Sequence, residues 1–133
     1  MPSVAWTSSA EAEAEREYVV IATRFVLARH GHLPAFFRAT QELWPRLVES
    51  DGVLGYSLDG DLRRRTLRTL SAWRDSAAVE AFVRSAPHAL VVAQTQTWMA
   101  TSTILTWTVR GAQLPMTWSQ VDEKFDTAAS PPA

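Results

Sequence analysis

The sequence predicts an α+β fold in which one four-stranded antiparallel sheet carries both helical segments on one face. A long β-branched and aromatic run opens the ordered part of the chain at residues 18–28, YVVIATRFVLA. Two stretches with apolar residues at helical spacing follow, each lying between strands. The order strand–helix–strand therefore occurs twice, and a hairpin joins the two halves. Right-handed crossovers then bring four strands into one sheet.

Composition limits the classes of function. The chain has 133 residues, which is enough for one domain. A net charge of −1 does not favour nucleic acid or an anionic membrane as a partner. The absence of cysteine excludes disulfides, thiolate metal sites and a cysteine nucleophile. With no apolar run of about 20 residues and no basic-then-apolar leader, we expect a cytoplasmic protein that binds neither membrane nor nucleic acid.

The two ends of the chain differ from its middle. Residues 1–17 are predicted to be a flexible lead, because no apolar stripe holds the Ala/Glu run down. Residues 111–133 show no clear period and end near two prolines, so we expect an arm after the core. Trp118 and Phe125 are the residues that would pin this arm, onto the partner subunit if there is one. The predicted domain is therefore residues 18–110.

The first half consists of a strand and a helix. Residues 18–28 are apolar on both faces, which is typical of a central strand covered on both sides, and Arg24 is its one charge. Pro34 suits a first helical turn, while Pro45 predicts a kink or a restart. Gly52 is the expected stop signal. The residues with helical spacing are Leu33, Phe36, Phe37, Thr40, Leu43, Trp44 and Leu47.

The hairpin and the second half follow. Strands are predicted at about 53–59 and 65–73, with the turn at Asp59-Gly60 and a solvated arginine cluster, residues 63–65, at its tip. Asp75 or Ser76 can cap the next helix. Pro87 breaks this helix and opens a second helical segment, and the final strand is expected at 101–110. The expected buried stripe of the first segment is Val79, Phe82, Val83 and Ala86, and the second carries His88, Val91, Val92, Thr95, Trp98 and Met99 on one face.

This order of elements is the ferredoxin-like βαββαβ arrangement. The face of its sheet opposite the helices is expected to be bare. Because the strands are apolar on both sides, that face should also be buried, most simply against a second copy. The sequence therefore predicts a homodimer in which sheet faces sheet.

The segment after the hairpin resembles a known superfamily. It carries "WRD" at Trp73–Asp75 and continues as the helix "AVEAFVRSAPH" to His88. Over residues 18–110 the chain resembles the dimeric α+β barrel superfamily, and within it the antibiotic biosynthesis monooxygenase-like proteins. The resemblance implies a substrate between the sheet and its own helices, with Trp73 lining the pocket and His88 matching the helix histidine. The quinone-forming oxygenases of this group also use an asparagine, and this chain has none.

Three residues are candidates for chemistry. A neutral imidazole at His88 could take a proton from a phenol or an acidic carbon, although a histidine on an apolar helix face can also be a core residue. Arg24 and Arg68 could hold an oxyanion. Alternatively Arg24 could pair with an acidic side chain, Glu42 or Glu80, since a charge within an apolar strand needs a partner. The H-x-H pair His30/His32 lacks a third ligand at short spacing, so we expect no metal site.

These observations predict a small-molecule enzyme of specialised metabolism that acts on an aromatic or polyketide-like substrate without a cofactor. It would be a monooxygenase, or a cyclase or isomerase, because proton abstraction and enolate stabilisation are the shared first step. Two alternatives stay open: a haem protein with His88 as the axial ligand, and a non-catalytic dimeric binding protein. The expected pocket residues are Phe36, Phe37, Trp44, Trp73, Thr95, Trp98 and Trp107.

Overall fold

A computed structural model describes residues 4–8, 11–61, 63–84, 97–114 and 116–129. Five antiparallel strands form one sheet in the order β1-β3-β4-β2-β5. The strands are β1 (Val4–Ser8), β2 (Glu17–Leu27), β3 (Val53–Asp61), β4 (Thr66–Trp73) and β5 (Met99–Arg110). The α-helices are α1 (Leu33–Val48), α2 (Ser76–Val83) and α3 (Trp118–Ala129), and short 3₁₀ helices span His30–His32 and Gly111–Gln113. The predicted α+β class and the ferredoxin-like order of β2 to β5 are confirmed.

Strand β2 is an interior strand covered on both sides, as the apolar run predicts, although the central strand of the five is β4. It pairs with β4 on one side and with β5 on the other, in antiparallel register along nearly its whole length. Its residues are apolar on both sides of the sheet because both sides are packed, Val19 against α2 and Val20 against α3. The side chains of β2 therefore mark the two faces of the sheet, one packed by α2 and the other by α3.

The sheet has five strands, where the sequence predicts four. The segment expected to be a flexible lead contains β1, which pairs with β3 at the edge. Gly55 of β3 allows this pairing, because a Cβ there would lie 2.3 Å from Cζ2 of Trp6. The missing side chain thus makes the space in which the Trp6 ring rests on the sheet.

The face expected to be bare is covered by α3 of the same chain. Val121 and Phe125 of α3 are 0% and 2% exposed and join one core cluster with residues of β2, β4 and β5. Trp118 packs against the same cluster. The segment predicted to be an arm without a clear period is therefore partly an amphipathic helix, and the reason given for a second copy, an uncovered face, does not hold. The homodimer itself stays a prediction.

One turn and one helix differ from the sequence expectation, and one helix cap agrees with it. The hairpin turns after Asp61, because Asp59 and Gly60 still pair with β4 as strand residues. The Asp61 carboxylate accepts hydrogen bonds from the backbone N–H groups of residues 63 and 64, and Arg65 takes a left-handed φ of 52°. Helix α1 continues through Pro45 to Val48 without the predicted restart. Asp75 caps α2 as predicted, accepting from the N–H of Ala78 at 2.9 Å.

Candidate functional site

The alternation of β2 defines two sides of the sheet. Val19, Ile21, Thr23 and Phe25 face α1 and α2, and we call this the helix side. Tyr18, Val20, Ala22 and Arg24 face α3, and we call this the α3 side. The resemblance implies a substrate on the helix side.

Trp73 lies at one end of the helix side. It is 1% exposed, and its indole N–H donates to Oγ of Ser71 at 2.8 Å. Its ring centroid lies 5.3 Å from that of Phe82 in α2. Trp73 therefore belongs to the packed core between β4 and α2. A substrate would contact the side chains that cover Trp73 and not its ring.

The other predicted aromatic residues lie at the opposite end. Trp98 is half-buried, and its ring stacks with that of His32 at a centroid distance of 6.2 Å. Phe36 of α1 meets Phe25 of β2 edge to face at 6.0 Å, and Phe37 is half-buried at the next position of α1. The backbone N–H of Ala28 donates to Trp98, so this end lies nine residues along the chain from Val19, the partner of Trp73. That is roughly 30 Å of strand, too far for one small substrate to touch both ends.

A pair of hydroxyls lies between the two ends. Thr23 of β2 and Thr69 of β4 are direct cross-strand partners, and their Oγ atoms are hydrogen-bonded to one another. Both residues are half-buried on the helix side. Ile104, which pairs with Thr23 on β5, is 64% exposed, so this part of the helix side is open to solvent. An apolar surface next to two hydroxyls can hold a flat substrate and hydrogen-bond its oxygen.

The arginines proposed as oxyanion holders lie on the other side of the sheet. Arg24 of β2 and Arg68 of β4 lie directly opposite each other in the strand register, and both side chains face α3. The structure therefore separates them from Trp73, and their joint use in a helix-side pocket is wrong. Glu42 and Glu80, the acidic residues considered for Arg24, are exposed on α1 and α2 and cannot reach it through the sheet.

Arg68 holds α3 to the sheet. Its Nη2 and Nε donate to Oδ2 of Asp59 at 2.6 and 3.2 Å, and its Nη1 donates to Oδ1 of Asp122 in α3. The guanidinium also lies 4.5 Å from the ring centroid of Trp118. Burial alone would lower the pKa of Arg68, but the hydrogen bonds to the two carboxylates outweigh it and raise that pKa. Arg68 is therefore a structural cation on the α3 side.

Arg24 is held differently from its neighbour. Its guanidinium lies over the ring of Phe125 at 4.8 Å, and within the described residues it forms no ion pair. A half-buried arginine placed on an aromatic face keeps its charge stabilised without a carboxylate. The prediction that this mid-strand cation needs a partner is thus met by a ring of α3.

Two predicted residues, His88 and Thr95, lie outside the described residues, in the segment that joins α2 to β5. The side chain of Trp44 is likewise not described, although its backbone belongs to α1. The roles given to His88, as acid/base or as haem ligand, therefore stay predictions. Trp107, also named as a pocket residue, packs on the α3 side.

Comparison with known proteins agrees with the geometry at the level of the fold. A conserved protein from Methanosarcina mazei superposes with a TM-score of 0.62 at 13% identity, over 68% of this chain and 90% of that one. A provisionally assigned antibiotic biosynthesis monooxygenase from Nitrosomonas europaea gives a TM-score of 0.61 at 16% identity, over 77% and 96%. The chain shares the ferredoxin-like fold of these proteins. No family model matches the sequence, and a search of curated proteins by sequence finds no match.

A further structural neighbour is longer than this chain. A provisionally assigned monooxygenase from Fusobacterium nucleatum gives a TM-score of 0.67 at 12% identity, over 74% of this chain. The chain spans 45% of the length of that protein. The resemblance to the monooxygenase-like group is thus borne out in the fold, and identities this low show the fold alone.

Metal ligands and membrane-spanning helices are two further features that would indicate a function. Among the residues described, no group of three or more His, Asp or Glu side chains is placed to hold a metal ion. Over the same residues, every helix is too short or too polar to cross a bilayer. The helix side around the Thr23–Thr69 pair is the candidate site, because it places two hydroxyls beside an exposed apolar side chain.

Proposed function

We propose that the protein is a cytoplasmic, cofactor-independent enzyme that oxygenates, or cyclises or isomerises, an aromatic or polyketide-like phenol. The observation that carries this proposal is the half-buried Thr23–Thr69 hydroxyl pair beside the exposed Ile104. Structural neighbours named as monooxygenases support the choice of reaction class.

In the proposed complex, a flat substrate lies on Ile104 and Phe25. Its phenolic oxygen accepts a hydrogen bond from the threonine pair, which stabilises the oxygen as it becomes an anion. One hydroxyl of the pair donates its proton to the other. The accepting hydroxyl therefore keeps its own proton, which it can donate to the substrate oxygen. The pair therefore provides the oxyanion contact that the sequence assigned to Arg24 or Arg68.

The base in this proposal is His88, as the sequence predicts. Proton removal makes an electron-rich carbanion or phenolate, which can transfer one electron to dioxygen without a cofactor. Recombination of the substrate radical with superoxide forms a carbon-bound peroxide anion, which takes the proton back from His88. Loss of water from the resulting hydroperoxide leaves a carbonyl. Overall, one substrate CH₂ and one O₂ give one C=O and one H₂O. If dioxygen is not used, the same carbanion closes a ring or moves a double bond.

The proposal is tested with 1,8-dihydroxyanthrone as the probe substrate. Oxygen uptake above the uncatalysed rate is followed with an oxygen electrode, with no cofactor added. In a second, anaerobic arm, exchange of the acidic CH₂ protons in D₂O is followed by NMR. Uptake in the first arm indicates an oxygenase, and exchange without uptake indicates a cyclase or isomerase. A protein that accelerates neither process contradicts the proposal.

A matched pair of variants assigns the site. Thr69→Val keeps the shape of the side chain and removes its hydroxyl, so kcat/KM should fall by roughly 10- to 100-fold, the effect of losing one hydrogen bond to a developing charge. Thr101→Val makes the same change at an exposed position at the start of β5 and should leave kcat/KM unchanged. Equal rates for both variants would remove the threonine pair from the mechanism.

A further inference from the structure

A concave surface lies between the end of α1, the loop that follows it, and α2. It is a groove of about 390 Å³ that is open to solvent and is lined by Arg46, Ser50, Asp51, Arg74 and one face of α2. We call it the α1–α2 groove. Its volume is at the lower end of the range that small-ligand sites occupy.

The floor of the groove is apolar and flat. Ala77 and Ala81 are one turn apart on α2 and are exposed, so this helix presents only methyl groups here. Phe82 completes the floor, and its ring is backed by the buried Trp73. Small side chains over a rigid aromatic layer suit a flat apolar ligand.

The rim of the groove carries two arginines, Arg46 and Arg74, and one aspartate, Asp51, which is paired with Arg74. Arg74 donates to Asp51 at 3.3 and 3.5 Å and to Asp75 at 3.4 Å, so its guanidinium is already oriented. The hydrogen bond to Asp51 raises the pKa of Arg74, which keeps it charged. Arg46 lies in the last turn of α1, is exposed, and forms no ion pair within the described part of the chain. The rim therefore has one arginine fixed in place and one free to meet an anion.

The walls of the groove are tied together by the loop at Gly52. This residue has a φ of 87°, and a Cβ there would lie 2.6 Å from Cβ of Ala78. Its carbonyl accepts a hydrogen bond from the N–H of Arg74 at 2.7 Å. Only glycine lets the loop after α1 pass this close to α2, so the groove is formed before any ligand arrives. A preformed site avoids part of the ordering cost of binding.

From these features we propose that the α1–α2 groove binds a small carboxylate with a flat apolar body. The body lies on Ala77, Ala81 and Phe82, and the carboxylate pairs with Arg46. This site is separate from the helix-side site, because Thr23, Thr69, Phe25 and Ile104 are not among its lining residues, so it stands whether or not the protein catalyses the proposed reaction.

The experiment is isothermal titration of the full-length protein with 1-naphthoate, with the neutral 1-naphthamide as the second probe. We expect the naphthoate to bind and the naphthamide to bind at least tenfold more weakly, because it lacks the charge that Arg46 recognises. Arg46→Gln should weaken naphthoate binding roughly tenfold. Ala81→Leu should remove measurable binding by filling the groove.

Two controls keep the outcome decisive. Arg38→Gln removes another exposed arginine of α1, two turns before Arg46, and should leave the affinity unchanged. Leucine is a good helix former at an exposed position, so Ala81→Leu should keep the circular dichroism spectrum and melting temperature of the wild type. No binding of naphthoate at millimolar concentration, equal binding of both probes, or wild-type affinity in Arg46→Gln or Ala81→Leu would each overturn the proposal. Because neither residue belongs to the helix-side site, both variants should keep any turnover that depends on Thr69.

Discussion

Phe125→Ala tests whether α3 covers the sheet of its own chain. The Phe125 side chain is 2% exposed within the cluster formed by β2, β4, β5 and α3. Truncating a buried phenylalanine costs about 3–5 kcal/mol. The change also removes the ring beneath the Arg24 guanidinium, a contact 4.8 Å from the centroid. We therefore expect the free energy of unfolding to fall by about 4 kcal/mol, a large part of the about 5–15 kcal/mol typical of a domain.

The assay is urea unfolding followed by circular dichroism. With a slope of about 2 kcal/mol per molar urea, a loss of this size lowers the midpoint by about 2 M. Glu123→Ala is the matched control, because residue 123 is exposed on the same helix and its truncation should stay within about 0.5 kcal/mol. Both proteins are measured at two concentrations tenfold apart, and their association state is followed by sedimentation.

Two outcomes would contradict cover of the sheet by α3 of the same chain alone. If Phe125→Ala loses less than about 1 kcal/mol, α3 does not contribute a core face of this domain. If the wild-type midpoint rises with protein concentration and Phe125→Ala removes that rise, the α3 side takes part in the contact between copies that the sequence-based argument for a sheet-to-sheet homodimer expects. A large loss that is independent of concentration supports cover by α3 of the same chain.

Two further predictions concern the edge of the sheet and the start of α2. Gly55→Ala should release β1, because the new methyl would lie 2.3 Å from the Trp6 ring. We expect faster hydrogen exchange in residues 4–8 and a lower Tm. The control Gly31→Ala, whose methyl meets nothing within 4 Å, should change neither quantity. The hydrogen bond from the N–H of Ala78 lowers the pKa of Asp75, so this carboxylate stabilises the fold above the ordinary pKa of an aspartate, and the contribution is lost as the pH falls through the lowered pKa. Asp75→Asn keeps a capping oxygen but does not titrate, so its unfolding free energy should depend less on pH below about pH 4; an unchanged acid slope would contradict this.

The central elements could be predicted because each has a strong local signal. The apolar run at 18–28 and the capping residue Asp75 each predict an element from a few neighbouring residues. The structure has β2 and the start of α2 at these positions. The ends could not be predicted in the same way. Five residues of β1 are too few to show a period, and only its pairing with β3 defines it. In α3 the buried residues Trp118, Val121 and Phe125 have helical spacing. They form a narrow stripe among polar residues, and only the sheet face on which they pack shows that this stripe is buried.

The hairpin shows how pairing overrides a turn motif. Asp59-Gly60 is a strong turn signal, yet Asp59 lies opposite Arg68 and accepts its hydrogen bonds, which keeps the residue in β3. The turn then forms after Asp61, whose carboxylate accepts from two backbone N–H groups of the tip. A cross-strand ion pair and a second aspartate thus shift the turn by two residues.

The candidate site shows which part of the functional prediction was available from the strands alone. Trp73 and Arg68 are five residues apart in one strand, and an odd separation places them on opposite sides of the sheet. Alternation therefore already argued against a pocket that uses both, without knowledge of any partner strand. The Thr23–Thr69 pair is different, because it depends on the register between strands 46 residues apart, which no local pattern carries.

The same alternation changes what an arginine in an apolar strand means. On the helix side, Arg24 and Arg68 would be cations held ready for a substrate oxyanion. On the α3 side, one binds Asp122 and the other binds the ring of Phe125, so both hold the chain's own helix in place. Their charge is used in folding, and among the described residues the centre of the helix side presents the neutral hydroxyls of Thr23 and Thr69. In the proposed reaction these hydroxyls stabilise the substrate oxyanion, which makes Thr69→Val a sharper probe of catalysis than a change to Arg24 or Arg68.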